Sequence, residues 1–171
     1  MNGESNTNDT ADTRAATYSF FAQGTPRPYR KDRVKGGHNY KPQRLQKWQR
    51  LIYLQLLEQC DRPSEPHSGP VRARLRFWFD VPKSWPQWRK EYEAGEGRPK
   101  TPDWDNCSKA VLDSLEGTLI EDDRQVYEVV VEQRYTVDDK LGASVPGVEV
   151  QLWCEPERAT TKKELEEKSL E

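Results

Sequence analysis

Apolar positions along the chain follow two periods, one of two residues and one of three to four, and these lay out the elements. Val71 to Val81 is the clearest strand: Val71, Ala73, Leu75, Phe77, Phe79 and Val81 alternate with Arg72, Arg74, Arg76, Trp78 and Asp80. One face therefore packs on a core. The other carries an arginine row, which can bind phosphate or pair with acids on a neighbouring strand; pairing is favoured, because exposed strand faces are routinely charged. Tyr18 to Ala22 reads as a short first strand. Lys41 to about Cys60 has helical spacing, with Leu45, Trp48, Ile52 and Leu56 inward. Leu51, Leu54 and Leu57 widen that surface, more in the manner of core than of a dimer interface. A second helix starts at Asp105 or Asn106, either a good N-cap, and runs to about Glu116 with Gly117 as its stop. Its inward stripe is Cys107, Ala110, Val111, Ser114 and Leu115. Gln125 to Tyr135 reads as a strand covered on both sides, Val126 and Val130 on one face and Tyr127, Val129, Val131 and Tyr135 on the other. Gly147 to Cys154 is the last strand, with Val148, Val150, Leu152 and Cys154 inward. The order β-α-β-α-β-β predicts a mixed α/β (α+β) domain, a four-stranded mixed sheet with two packed helices.

Between these elements the chain is polar. Residues 1–16 have almost nothing to bury and read as a disordered tail, residues 17–156 as the domain, and residues 157–171 as a charged tail. Asp61 to Pro70 is a connector in which His67 looks incidental. Pro82 to Lys100 resembles an insertion, mobile rather than core. Its Trp85 and Trp88, with Trp104 beyond it, are suited to stacking on unpaired nucleotides; anchoring the segment to the body is the favoured reading.

Apolar and charged residues each make up 33% of the 171, so the core is modest and a dimer would suit it. A net charge of −2 excludes a uniformly basic coat. Basic residues nevertheless concentrate. The loop Gly24 to Gly37 carries five against one acid, and its prolines and glycines argue against regular structure. Arg27, Arg30, Lys31 and Arg33 are the leading phosphate contacts, and Lys41, Arg44, Lys47 and Arg50 extend the positive side along the first helix. Cys60, Cys107 and Cys154 lack CxxC spacing and read as reduced thiols. With no apolar run of membrane-spanning length, a soluble cytoplasmic protein is expected.

Chemistry concentrates in Thr101-Pro102-Asp103-Trp104-Asp105-Asn106-Cys107-Ser108-Lys109-Ala110-Val111-Leu112-Asp113. Pro102 keeps the approach extended, so Asp103 and Asp105 are expected to point one way. Asp105, Lys109 and Asp113 follow at i, i+4 on one helix face. Downstream, Glu121-Asp122-Asp123 opens the valine-rich strand, and the helix between can bring an aspartate from that run to the first pair. Three carboxylates and a lysine around one point suit a hard divalent cation such as Mg²⁺. The competing reading is ordinary: acids near helix starts cap them, and an acidic run before a strand is a solvated turn.

Pro102-Asp103-x-Asp105-Asn106, then Lys109-Ala110-Val111-x-Asp113-x-Leu115-x-Gly117, then Asp122-Asp123-x-Gln125-Val126 resembles the signature of the RusA family of Holliday-junction resolvases. The resemblance extends more weakly over about Tyr18 to Glu155. It implies a small homodimeric endonuclease with the fold above, dependent on Mg²⁺ with Mn²⁺ able to substitute, that nicks four-way DNA junctions in symmetric pairs during recombination and repair. Asp103, Asp105 and Asp123 would be its metal-binding catalytic aspartates and Lys109 its essential basic residue. Relatives similarly place a variable basic loop after the first strand. Trp104 stands where they carry an aliphatic residue, Cys107 where leucine is common, and Asp122 could serve in place of Asp123. Two rival readings are a non-catalytic branched-DNA-binding protein and a Mg²⁺-dependent phosphohydrolase of small molecules; clustered acids speak against the first and the basic loop against the second.

Overall fold

Strand β4 (Val71–Phe79) lies inside the sheet, with every second residue from Val71 to Phe79 buried and Trp78 buried as well. The computed structural model describes residues 16–30, 32–33, 39–40, 42–94, 99–136 and 145–156, of which 32–33 and 39–40 are described by backbone alone. Most of the two expected tails, most of the polar turn before the last strand, and Lys31 and Lys41 lie outside them. The sheet has the order β1-β6-β4-β5, with β1 (Tyr18–Gln23) and β4 both antiparallel to β6 (Gly147–Cys154) and β4 parallel to β5 (Val126–Tyr135). A parallel neighbour requires a crossover, and the long β4–β5 connection supplies it through α3 (Trp104–Leu115). Helix α1 (Gln43–Gln59) and α3 pack on one sheet face, where Trp48, Ile52, Leu56, Cys107, Val111 and Leu115 meet the inward residues of β1, β4 and β6. The expected mixed fold is thus present.

Four details differ from the sequence expectation. Among the described residues the α-helices number three: α2 (Gln87–Glu93) forms within the segment read as an insertion and buries none of its residues. The basic loop contributes a two-residue strand, β2 (Asp32–Arg33), paired antiparallel with β3 (Asn39–Tyr40) just beyond it, where prolines and glycines argued against regular structure. Leu51, Leu54 and Leu57 are exposed, so the α1 stripe is only as wide as Leu45, Trp48, Ile52 and Leu56. Finally, β5 is an edge strand covered on one face. The pairing with β4 shifts between Val71↔Val126 and Arg72↔Glu128, leaving Tyr127 as the extra residue of a bulge. That single insertion moves Val126 onto the face of Val129, Val131 and Tyr135, all packed against the core.

The uncovered face explains the arginine row. Arg76 donates to Glu132 on β5 at 3.2 and 3.3 Å and to Glu149 on β6 at 3.0 Å. The Arg72 guanidinium lies 5.1 Å from the centre of the Trp153 ring. The opposite edge is closed by side chains. Gln55 and Gln59 each donate to and accept from the β1 backbone, at Gln23 and Phe21 respectively, over 2.7–3.0 Å. Two glutamines one helical turn apart thereby occupy the hydrogen-bonding edge that another strand would otherwise use. Among the described residues no helix is long and apolar enough to cross a membrane.

Candidate active site

Helix α3 begins at Trp104, earlier than expected. Asp103 is its N-cap residue in extended conformation, and the Cys107 amide donates to the Asp103 carbonyl at 3.1 Å. The Thr101–Pro102 peptide is cis. Asp103 and Asp105 are therefore disposed by a helix start and not by the pleat of an extended segment. Both are exposed, at the helix end whose free N–H groups favour negative charge. Beneath them Cys107 is fully buried, and its thiol is pushed up to about 12, first by burial and then by the charges of Asp103 and Asp105. A thiol so placed carries almost no thiolate at pH 8. Iodoacetamide at that pH is expected to leave Cys107 unlabelled in the folded protein and to label it in urea, read by peptide mass; labelling in the folded state would refute that burial.

The second motif reaches the site through a compact turn. Gly117 adopts φ 69°, the left-handed conformation that ends α3, and Thr118, Leu119 and Ile120 then plunge into the core. Leu119 and Ile120 fix the chain against the connector: the His67 amide donates to the Leu119 carbonyl at 2.9 Å, and the Glu121 amide to the His67 carbonyl at 3.2 Å. His67 is therefore a fixture of this turn and not incidental. Gln125 clamps the other side. Its Nε2 donates to the His67 and Gly69 carbonyls at 2.8 and 2.9 Å, and its Oε1 accepts from the Asp122 amide at 2.8 Å. Gln125→Ala would strand the Gly69 carbonyl and the Asp122 amide, with an expected cost of about 1–3 kcal/mol. An unchanged urea midpoint would contradict that role.

The turn separates the two adjacent aspartates. Asp122 is engaged by Arg124, whose Nε and terminal nitrogen reach its two oxygens at 2.8 and 2.7 Å and hold its carboxyl well below the usual range. Asp123 faces α3. Its Oδ2 accepts from Lys109 Nζ at 3.0 Å, and its amide donates to Glu116 at 3.1 Å. Lys109 also donates to Asp113 at 3.2 Å, one turn along the helix. Hydrogen bonding to Asp123 raises the lysine above its ordinary value, burial opposes the rise, and hydrogen bonding to Asp113 adds to it, so the lysine is cationic at neutral pH.

Sequence reasoning singled out Asp113 only as a helix-face neighbour and passed over Glu116. Among the described residues, Asp113, Glu116 and Asp123 form the one set of three acids whose oxygens lie within 4.8 Å of one another. Asp103 and Asp105 are not in such a set. Their link to Asp123 runs along the helix face, where Asp105 precedes Lys109 by one turn, about 6 Å of rise. All five carboxylates are hard oxygen donors, and three of them are exposed, so the donor set fits Mg²⁺. The i, i+3 spacing of Asp113 and Glu116 would have revealed the extra pair.

The basic loop lies against this site. The Tyr29 amide donates to the Asn106 carbonyl at 2.7 Å, and Lys109 Nζ sits 5.4 Å from the Tyr29 ring centre. Arg27 is half-buried and Arg30 exposed on either side of that contact. Lys31 and the side chain of Arg33 lie outside the described residues. Arg44, Lys47 and Arg50 are exposed on α1, which Gln49 ties to the Ala110 carbonyl of α3 at 3.0 Å.

A family model described as Endodeoxyribonuclease RusA matches residues 21–153, from within β1 to within β6. A Bacillus subtilis (strain 168) protein named Uncharacterized protein YqaN is 32% identical over 93 residues, 52% of this chain and 66% of that protein. The chain thus spans just under two thirds of that relative's length. The matched region contains both acid-bearing motifs, the lysine that joins them and the four-stranded sheet beneath, and on that span the chain belongs to the RusA endodeoxyribonuclease family.

Proposed function

We propose that the protein is a Mg²⁺-dependent endonuclease that resolves four-way (Holliday) DNA junctions by paired symmetric nicks, acting as a homodimer in recombination and repair. The observation that carries the reading is the Lys109–Asp123 contact, which joins the two family motifs at one exposed helix face beside a basic loop. Asp103, Asp105 and Asp123 would hold the cation, with Mn²⁺ able to replace Mg²⁺. Bound there, it supplies an activated water and neutralises charge growing on the scissile phosphate. Asp123 is favoured over Asp122 because Arg124 already occupies the latter.

The remaining work falls to the chain's own residues. Lys109, with its side chain 47% exposed and charged at neutral pH, offers its ammonium to the phosphate while Asp113 holds it from below. Glu116 fixes Asp123 through the backbone, so the carboxylate is presented and not left on a loose turn. Arg27 and Arg30, with Lys31 and Arg33 further along the same loop, grip the DNA backbone. Without such cations the acid cluster would repel it.

The test is a labelled four-way junction and a matched linear duplex incubated with and without Mg²⁺, beside Asp103→Asn. Paired nicks confined to the junction, absent in the variant, are the expected result. Tight junction binding without nicks in Mg²⁺ or Mn²⁺ would replace this reading with that of a branched-DNA-binding protein. Affinity that ignores salt would sink both, since contacts to several phosphates impose a steep salt dependence.

A further inference from the structure

A cleft of about 450 Å³ opens beside the helix start, lined by Pro99, Trp104, Val131, Glu132, Gln133 and Arg134. That volume lies within the ~300–1,000 Å³ of ordinary small-ligand sites. Its walls are held in place. Gln133 Nε2 donates to the Pro102 carbonyl at 3.0 Å, fixing the Pro99–Trp104 side to β5, and Arg134 is bonded to Glu132 at 3.2 Å. Trp104 is 57% exposed at the rim of this cleft; Trp88, 68% exposed on α2, does not line it, Trp48 and Trp78 are buried, Trp85 packs edge-on to Tyr135 and Trp153 lies under Arg72. A large apolar ring left in water at the rim of a cleft calls for a partner.

Three features specify that partner. The indole, the Pro99 ring and Val131 offer flat apolar surface. The floor is β5, which among the described residues is the end strand of the sheet. And Trp104 stands between Asp103 and Asp105, so a nucleotide next to a phosphate held at those acids comes to the cleft first. Flat faces together with a hydrogen-bonding edge are what a nucleobase has, and a base free to enter is one out of its stack.

We propose that this cleft takes one unpaired base of the strand being cut, next to the scissile phosphate, with the Trp104 indole as its stacking platform. The proposal rests on the endonuclease reading and narrows its substrate to DNA that can release a base at the cut. Trp104 acts here as a specificity residue.

The test needs no turnover. A four-way junction carrying 2-aminopurine at the branch, and a single-stranded oligonucleotide carrying the same probe, are titrated in EDTA with the wild type, Trp104→Phe, Trp104→Leu and, as control, Trp88→Leu on α2. Stacking should quench the probe with the wild type and Trp104→Phe. Trp104→Leu should lose the quench and about tenfold in affinity, with circular dichroism unchanged, and Trp88→Leu should match the wild type. Equal quench and affinity for Trp104→Leu overturn the proposal, as does a cleft whose leucine variant alters only self-association, which would assign it to a second copy of the chain. Junction nicking without any quench by the wild type removes the cleft proposal alone. Quench without nicking in Mg²⁺ removes the endonuclease reading and leaves the cleft standing. Failure to bind either probe removes both.

Discussion

Asp123→Asn is expected to lower Mg²⁺-dependent junction nicking by roughly 10³-fold, since cation-mediated stabilisation of the transition state amounts to several kcal/mol. Junction affinity measured in EDTA should hold or rise, because the change removes a negative charge from a DNA-facing surface. The amide keeps the shape of the side chain and an oxygen toward Lys109, so misfolding is not the cause to be feared. Two comparators sharpen the result. Asp113→Asn removes the other acceptor of Lys109 at 3.2 Å and should cost about tenfold through misplacement of the ammonium. Asp122→Asn should stay near wild type, because that carboxylate is occupied by Arg124. Single-turnover nicking rates measure all three. A deeper loss for Asp113→Asn than for Asp123→Asn would move the cation to the Asp113, Glu116 and Asp123 set.

The same residues show what a linear reading reaches. The meeting of the two motifs was legible because each is short and ordered: Lys109 does meet Asp123, and the face Asp105, Lys109, Asp113 follows from helix spacing alone. The inward residues of α1, β4 and β6 were legible for the same reason, since each has one clean period. Within the arginine row, Arg76 found the acids it called for, on β5 and β6.

What escaped depends on contacts between distant positions. The bulge at Tyr127 moves Val126 off the face expected for it beside Val130, and it exists only because β4 pairs with β5 in that register. His67 carries no motif, yet its backbone anchors the turn ahead of Asp123 through Leu119, Glu121 and Gln125. Gln55 and Gln59 look like solvent-facing helix residues until β1 is laid beside them. The helix start moved from Asn106 or Asp105 to Asp103 because all three are acceptable N-caps, and local preference does not rank them. That shift alters how Asp103 and Asp105 are directed, the part of the site most in need of three dimensions.

Leu115→Ala is expected to be the most destabilising truncation near the site, costing about 2–5 kcal/mol and lowering Tm by roughly 10 °C for a chain of this size. Leu115 is fully buried in the cluster that joins α3 to the sheet. Its carbonyl also accepts from Thr118 at 3.1 Å and Leu119 at 3.0 Å, so it starts the turn that delivers Asp123. The cavity would open beneath that turn, and amides over residues 116–125 should exchange faster than those of β4 and β6. Leu54→Ala, at an exposed position on the outer side of α1, should change stability by less than about 0.5 kcal/mol. Urea unfolding with an unchanged slope and hydrogen exchange check the pair. If Leu115→Ala unfolds at the wild-type midpoint, the packing that brings the second motif to Lys109 is not what holds the turn, and Gln125 with His67 must hold it alone.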